Sequence, residues 1–171
     1  MNFDHAARLA RLLSEDGPAR GVPRIATVPE VLVCSAAEAL KMRGTALGIV
    51  VAVRDPGTPA IPLKTGWKDV LSLEIPDVDV HGRVDPGWDL AVPTRAIAQF
   101  VRRHAAATRI LLHCHLGVSR SRSIAAALCE QRQWPYSWTV LHQPLYEAMR
   151  TALQIEGETG HTADSIAKNT V

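Results

Sequence analysis

The sequence is poor in cysteine and in long apolar runs, and each shortage excludes a class of protein. Its three cysteines, Cys34, Cys114 and Cys129, provide neither a disulfide framework nor the spacing of a zinc site. The apolar stretches have the length of strands and are too short to span a bilayer. The first residues have neither the basic start nor the apolar centre of a signal peptide. We therefore expect a reducing, cytoplasmic setting, with no membrane partner and no bound metal.

Aromatic side chains are also scarce, whereas the charged content is ordinary and nearly balanced in sign. Charged residues make up 21% of the chain and the formal net charge is +2. This excess is too small to indicate a nucleic-acid partner, although it suits an anionic substrate. Aromatic residues make up 5% of the chain, whereas the hydrophobic content of 47% is ample for a core. At this length the composition predicts one domain and leaves the oligomeric state open.

What the sequence does contain is one dense motif over residues 110–128, which reads Ile-Leu-Leu-His-Cys-His-Leu-Gly-Val-Ser-Arg-Ser-Arg-Ser-Ile-Ala-Ala-Ala-Leu. The apolar residues at its start predict a buried parallel strand. Residues 121–131, with three alanines in succession, predict a helix. The motif therefore places Cys114 at the end of a strand, and Arg120 and Ser121 at the start of a helix.

The loop between this strand and this helix has the properties of a phosphate-binding loop. Unpaired backbone N–H groups and the helix dipole favour an anion at a helix N-terminus. A loop whose N–H groups all turn inward surrounds such an anion, and Gly117 allows backbone angles that other residues resist. The residues predicted to bind the substrate phosphate in this way are His115, Leu116, Gly117, Val118 and Ser119.

Four side chains around this loop are candidates for chemistry. The field that attracts phosphate also stabilises a thiolate, which makes Cys114 a candidate nucleophile. Arg120 offers a planar fork of donors that matches two phosphate oxygens and stabilises developing negative charge. Ser121 could hydrogen-bond the sulfur and ease its departure. His113 could orient the cysteine through local hydrogen bonds.

The full motif is more specific than a chance pair of cysteine and arginine. The residues six positions after the other two cysteines are Leu40 and Pro135, so neither of those cysteines is followed by arginine at this spacing. A cysteine that is merely buried in a strand-to-helix turn is the structural alternative. That alternative would leave Gly117, Ser119 and Arg120 unexplained, and we therefore favour a catalytic loop.

The string His-Cys-x-x-Gly-x-Ser-Arg-Ser resembles the signature of the cysteine-dependent protein tyrosine phosphatases. Its Gly-Val-Ser-Arg-Ser ending is most similar to the dual-specificity branch and its small bacterial relatives. The resemblance is tight over about residues 108–128 and looser over about 30–107, and it does not include the first 20 or the last 15 residues. Arg122 departs from the pattern, because many dual-specificity members carry proline or a small residue there. The resemblance implies that no cofactor is needed.

Cleavage of a phosphate ester also needs an acid that protonates the leaving oxygen. The resemblance implies an aspartate on a loop upstream of the cysteine, and Asp77 and Asp79 follow a predicted strand there. The similarity to the bacterial relatives favours Asp77, with Asp79 as the alternative general acid. Asp85 and Asp89 lie farther along the same loop. Because this loop is long and rich in proline and glycine, we expect a lid that brings Asp77 over bound phosphate.

Strand patterns alternate with helical patterns along the chain, which predicts an α/β fold with a mostly parallel central sheet flanked by helices on both faces. We expect residues 1–20 to be a helical extension with a helix at 4–15, residues 21–155 to be the phosphatase domain and residues 156–171 to be a polar, flexible tail. The predicted strands are Val31–Cys34, Gly48–Val53, Val70–Ile75 and Ile110–His113. The predicted helices run from a capping box at Ser35 to about Met42, and over residues 94–105, 121–131, 136–142 and 144–153.

The resemblance implies an enzyme that hydrolyses phosphotyrosine in phosphorylated proteins or peptides through a phosphocysteine intermediate. Pocket depth would decide whether phosphoserine and phosphothreonine are substrates too. A phosphoinositide or an RNA 5′ end is the alternative substrate. Lipid-directed relatives often carry lysines in the loop, and RNA-directed relatives often carry asparagine where Ser119 stands. A catalytically inactive phosphate-binding module is the non-enzymatic alternative.

Overall fold

The computed structural model describes residues 28–79 and 81–166. The strands are β1 (Glu30–Ser35), β2 (Gly48–Arg54), β3 (Asp69–Glu74) and β4 (Arg109–Cys114). The helices are α1 (Ala36–Ala39), α2 (Ala91–Arg103), α3 (Arg120–Gln131) and α4 (Gln143–Ile166). The four predicted strands are confirmed to within one residue at either end. The helix predicted at 4–15 and the predicted extension over 1–20 lie outside the described residues.

The four strands form one parallel sheet in the order β1-β4-β2-β3. β4 lies inside the sheet between β1 and β2, which explains the apolar run of residues 110–112 at its centre. The carboxyl ends of parallel strands lie at one edge of a sheet, where the active sites of open α/β folds collect. Here that edge brings together Cys114 at the end of β4, Asp55 after β2 and Asp77 shortly after β3.

Two hydrophobic cores lie on the two faces of the sheet, because side chains alternate along each strand. On one face α2, α3 and α4 enclose the larger core, to which they contribute Phe100, Ile124 and Met149 respectively. On the other face α1 and the segment of residues 61–67 cover a smaller core that includes Met42. The predicted parallel sheet with cover on both faces is therefore confirmed, although the second face carries only a one-turn helix.

The start of α1 follows from local capping, whereas that of α2 does not. The predicted capping box is present, since Ser35 Oγ accepts the N–H of Glu38 at 3.2 Å and the Glu38 carboxylate accepts the N–H of Ser35 at 2.8 Å. α1 nevertheless ends at Ala39, short of the predicted end. α2 begins three residues before the predicted start; its N-cap residue Leu90 makes no side-chain capping bond, and the preceding Asp89 accepts the N–H of Ala91 at Oδ1 over 2.8 Å.

The helix predicted at residues 136–142 is wrong. Residues 134–142 have no regular secondary structure, and Trp134 and Trp138 pack against the larger core. Burial of two large rings outweighs the weak helix preference of this short segment, which is too short to form a helix without tertiary support.

The last helix is longer than predicted. It begins at Gln143, with Pro144 in its first turn as predicted, but continues to Ile166 instead of ending near Leu153. Residues 156–166 are therefore helical and not an irregular tail. The two glycines in this part cost a helix only about 1 kcal/mol each relative to alanine, so they do not have to end it.

Candidate active site

Cys114 lies at the floor of the loop that leads from β4 into α3. The residue is 1% exposed, and its Sγ lies 3.2 Å from Oγ of Ser121. Ser121 is fully buried in the first turn of α3. The predicted contact between sulfur and hydroxyl is thus present, because the end of the strand and the start of the helix face each other across the loop.

The loop of residues 115–119 is held through its carbonyl groups. The carbonyl of His115 accepts the N–H of Ala36 at 3.2 Å, and the carbonyl of Gly117 accepts Nε–H of Arg122 at 3.1 Å. Carbonyls that are bonded to groups outside the loop leave its N–H groups to turn toward an anion. Arg122, which departs from the family pattern, therefore helps to hold the loop.

Gly117 is required by both its backbone conformation and its surroundings. Its φ is +70°, in the left-handed region that side chains resist. An added Cβ would lie 2.4 Å from the carbonyl carbon of Cys34 and 2.5 Å from the backbone nitrogen of Ser35. The loop is therefore pressed against the junction of β1 and α1.

We expect Gly117→Ala to lower the free energy of unfolding by about 3 kcal/mol, since it adds a backbone clash to an unfavourable φ. Gly57→Ala is the matched control, because Gly57 has a φ of +74° but no atom within 4 Å of an added Cβ. Its loss should be only about 1–2 kcal/mol. Urea unfolding measures both, and equal losses would mean that the loop does not press against β1 and α1.

The guanidinium of Arg120 is fixed along one edge. The residue is 2% exposed, and its Nη1 donates to Oδ1 of Asp55 at 2.7 Å and to the carbonyl of Ile75 at 2.8 Å. Among the described residues its Nε has no hydrogen-bond partner, although it lies at ion-pair distance, 3.4 Å, from Oδ2 of Asp77. The bonds at Nη1 fix the plane of the group and leave the edge formed by Nε and Nη2 for an anion.

Asp55 is a site residue that the sequence analysis missed. It lies 65 positions from Arg120 in the chain, but β2 and β4 are neighbours in the sheet, so their ends lie close together. Its carboxylate also lowers the cost of burying the Arg120 charge. The available signal was its place directly after a buried strand, at the edge where site residues of α/β folds collect.

Asp77 is the candidate acid that contacts the loop. Ser119 donates from Oγ to Oδ1 of Asp77 at 2.7 Å, and Oδ2 of Asp77 is the oxygen that faces Nε of Arg120. Ser119 stands at the N-cap position of α3, yet its hydroxyl makes no capping bond. Its hydroxyl instead holds the acid segment over the loop.

Asp79, the alternative acid, is occupied within its own turn. Its Oδ1 accepts the N–H groups of His81 and Arg83 at 2.8 and 2.9 Å, and the side chain of Arg83 pairs with Oδ2 at 3.3 Å. These bonds, led by the backbone N–H of Arg83, hold the pKa of Asp79 below its usual value. Asp85 and Asp89 also accept local backbone N–H groups. These three carboxylates are thus engaged in shaping the loop.

His113 does not orient Cys114 through a side-chain hydrogen bond, which corrects the prediction. Adjacent residues of a strand point to opposite faces, so its ring lies on the other side of the sheet from the sulfur. Among the described residues neither ring nitrogen has a hydrogen-bond partner. Burial lowers the pKa of His113 to about 4, so the ring is neutral near pH 7. It lines a cavity of about 310 Å³, together with Ala52 and Asp55.

The other two cysteines are poorly placed to protect Cys114 by disulfide formation. Cys34 belongs to the smaller core, on the opposite face of the sheet from Cys114. Cys129 is near the end of α3, about 12 Å along the helix from Ser121, which contacts the sulfur of Cys114. Burial raises the pKa of Cys34 to about 12 and that of Cys129 to about 11. Both side chains are therefore thiols near pH 7.

The described residues, 28–79 and 81–166, contain neither a membrane-spanning helix nor a metal-binding cluster. Within these residues no helix is both long enough and apolar enough to cross a membrane. No group of three or more His, Cys, Asp or Glu side chains among them could hold a metal ion.

Comparisons with known proteins identify no matching family model and no matching curated protein. Among solved structures the chain is similar to OH1 from the Orf virus, described as a tyrosine phosphatase that displays distinct structural features and triple substrate specificity. The two are 19% identical, over 91% of this chain and 87% of that chain, with a TM-score of 0.37. A likeness of this strength does not establish a function for this chain.

Proposed function

We propose that this chain is a phosphatase that hydrolyses phosphotyrosine in proteins through a phosphocysteine intermediate. The observation that carries the proposal is the meeting of three functional groups at one loop. Cys114 lies against Ser121 at its floor, Arg120 is buried beside it, and Asp77 is held over it by Ser119. A nucleophile, an anion-binding group and a proton donor are the parts that metal-free cleavage of a phosphate ester needs.

In the first step the thiolate of Cys114 attacks phosphorus. The S–P bond forms while the bond from phosphorus to the leaving oxygen breaks, and Asp77 transfers its proton to that oxygen. Arg120 and the N–H groups of the loop bind the three equatorial oxygens and stabilise their negative charge. The contact between Oδ2 of Asp77 and Nε of Arg120 supports this role, because a phosphate bound to that guanidinium lies within reach of the acid.

In the second step water attacks the phosphorus of phosphocysteine. Asp77, now ionised, accepts a proton from the water, and the S–P bond breaks to release inorganic phosphate and the thiolate. The hydroxyl of Ser121 donates to the departing sulfur, a role that the separation of 3.2 Å between Oγ and Sγ supports. Apart from the attacking water, both steps are carried by side chains and backbone amides of the chain.

Two apolar residues of the loop support an aromatic substrate. Leu116 is 70% exposed and Val118 is 38% exposed, so both offer apolar surface to the ring of a phosphotyrosine. The loop has no lysine, which favours a phosphorylated protein over a phosphoinositide as the substrate. These side chains would distinguish phosphotyrosine from phosphoserine by contact with the ring.

The proposal is tested by hydrolysis in the presence of EDTA. We expect wild-type protein to release phosphate from 4-nitrophenyl phosphate and from a phosphotyrosyl peptide, and to act more slowly on the matched phosphoseryl peptide. A phosphoinositide vesicle and an RNA with a 5′ phosphate are the competing substrates. Faster turnover of either would redirect the proposal to that ester. Binding of inorganic phosphate without hydrolysis of any ester would indicate an inactive binding module.

A further inference from the structure

One fully buried histidine outside the loop connects three parts of the site. His142 immediately precedes α4, and its backbone N–H donates to Oγ of Ser123 in α3 at 3.0 Å. Its Nδ1 lies 3.2 Å from the backbone nitrogen of Leu145, and its Nε2 lies 3.1 Å from the carbonyl oxygen of Pro76. Pro76 is the residue before Asp77, the proposed acid.

These contacts define the protonation state of the ring. The N–H of Leu145 can only donate, so Nδ1 must be the acceptor and carry no proton. The carbonyl of Pro76 can only accept, so the proton of the neutral ring is on Nε2. Burial, the largest influence, lowers the pKa of His142, and Arg120 also lowers it, whereas Asp77 raises it. A neutral imidazole with one defined tautomer thus joins the start of α4 to the acid segment.

The acid segment is held at three successive residues. The carbonyl of Ile75 accepts from Arg120, the carbonyl of Pro76 contacts His142, and the carboxylate of Asp77 accepts from Ser119. Two of these contacts come from residues that would also bind phosphate and would be altered when the substrate enters. The contact with His142 comes from a residue that lies outside the phosphate loop.

We propose that His142 is a positioning residue that holds Asp77 in place for proton transfer, an inference that rests on the proposed phosphatase function. Its backbone is bonded to α3 and its Nδ1 to the first turn of α4, so the ring has little freedom to move. The hydrogen bond from Nε2 to the carbonyl of Pro76 therefore restrains the peptide group just before Asp77. Displacement of a catalytic group by about 1 Å can lower a rate by about 10²-fold, so such a support has a measurable effect.

The test compares two aryl phosphates that need the acid to different degrees. Phenyl phosphate has a poorly stabilised leaving oxygen that requires protonation, whereas 2,4-dinitrophenyl phosphate has a leaving group that departs without it. We expect His142→Ala to lower kcat/KM for phenyl phosphate by about tenfold to a hundredfold. Its kcat/KM for the dinitrophenyl ester should stay within about twofold of wild type, because kcat/KM reports only the steps up to transfer of phosphate to Cys114, and for this ester that transfer needs no acid.

Two conservative variants separate positioning from a role in stability alone. In His142→Asn a side-chain oxygen can replace Nδ1 as the cap of α4, but the side chain is too short to reach Pro76. In His142→Gln the amide can reach Pro76 from about the position of Nε2. Compared with His142→Ala, we expect His142→Asn to recover the melting temperature of wild type but not its turnover of phenyl phosphate. We expect His142→Gln to recover more of the turnover than of the melting temperature.

Three results would overturn the inference. One is an equal loss of kcat/KM on both esters, and another is a recovery of phenyl phosphate turnover that follows the melting temperature across the Asn and Gln variants. Unchanged turnover of phenyl phosphate in folded His142→Asn is the third. Failure of the proposed function would look different, because wild-type protein would then hydrolyse neither ester.

Discussion

The Cys114→Ser variant should hydrolyse aryl phosphates on the order of 10⁶-fold more slowly than wild type, the scale on which loss of a covalent nucleophile acts. A serine hydroxyl remains protonated near pH 7, and it is a far weaker nucleophile than a thiolate. The smaller oxygen can still bond Ser121, so the loop should keep its shape. Binding of inorganic phosphate, measured by calorimetry, should therefore persist while turnover is lost.

Cys129→Ser is the matched control for this experiment. Cys129 is buried like Cys114, with 1% of each residue exposed, but it lies at the far end of α3 from the loop. We expect its variant to lose stability through the buried hydroxyl and to keep its kcat within about twofold of wild type. A Cys114→Ser protein that retains a tenth of wild-type turnover would exclude the phosphocysteine mechanism.

The second large effect should follow from Asp77→Asn. We expect kcat for phenyl phosphate to fall by about 10²- to 10⁴-fold, because an amide cannot supply the proton that the leaving oxygen needs. KM should change little, since the phosphate contacts come from Arg120 and the backbone. The amide oxygen can still accept from Ser119, so the acid segment should stay in place. Steady-state kinetics on the variant measure both parameters.

Asp79→Asn distinguishes the two candidate acids. The substitution should weaken only the hydrogen bonds that Asp79 makes to His81 and Arg83 within its own turn. The loop should then be less rigid, and kcat should fall only a few-fold. The ratio of the loss of kcat in Asp77→Asn to that in Asp79→Asn decides which of the two residues is the acid. If Asp79→Asn lowers kcat more than Asp77→Asn does, the loop moves on substrate binding and the acid in the proposed mechanism is Asp79.

The sequence by itself determined the elements whose causes are local. Continuous apolar runs of strand length located the four strands, and the capping box at Ser35 located the start of α1, because these signals act between neighbouring residues. The arrangement of residues around Cys114 is also determined locally. A strand end, a tight loop with Gly117 and a helix start bring the sulfur to Ser121 across only seven positions of the chain.

Only the tertiary structure decided the rest of the site, because those contacts join distant positions. Asp77 meets Ser119 across 42 positions, Asp55 meets Arg120 across 65, and His142 meets Pro76 across 66. Strand order sets which loop ends are neighbours, and no local pattern encodes it. The choice between Asp77 and Asp79 likewise depends on which carboxylate the turn occupies. Sequence thus specified where Cys114 and the loop after it lie, whereas packing of the sheet edge specified which distant side chains contact them.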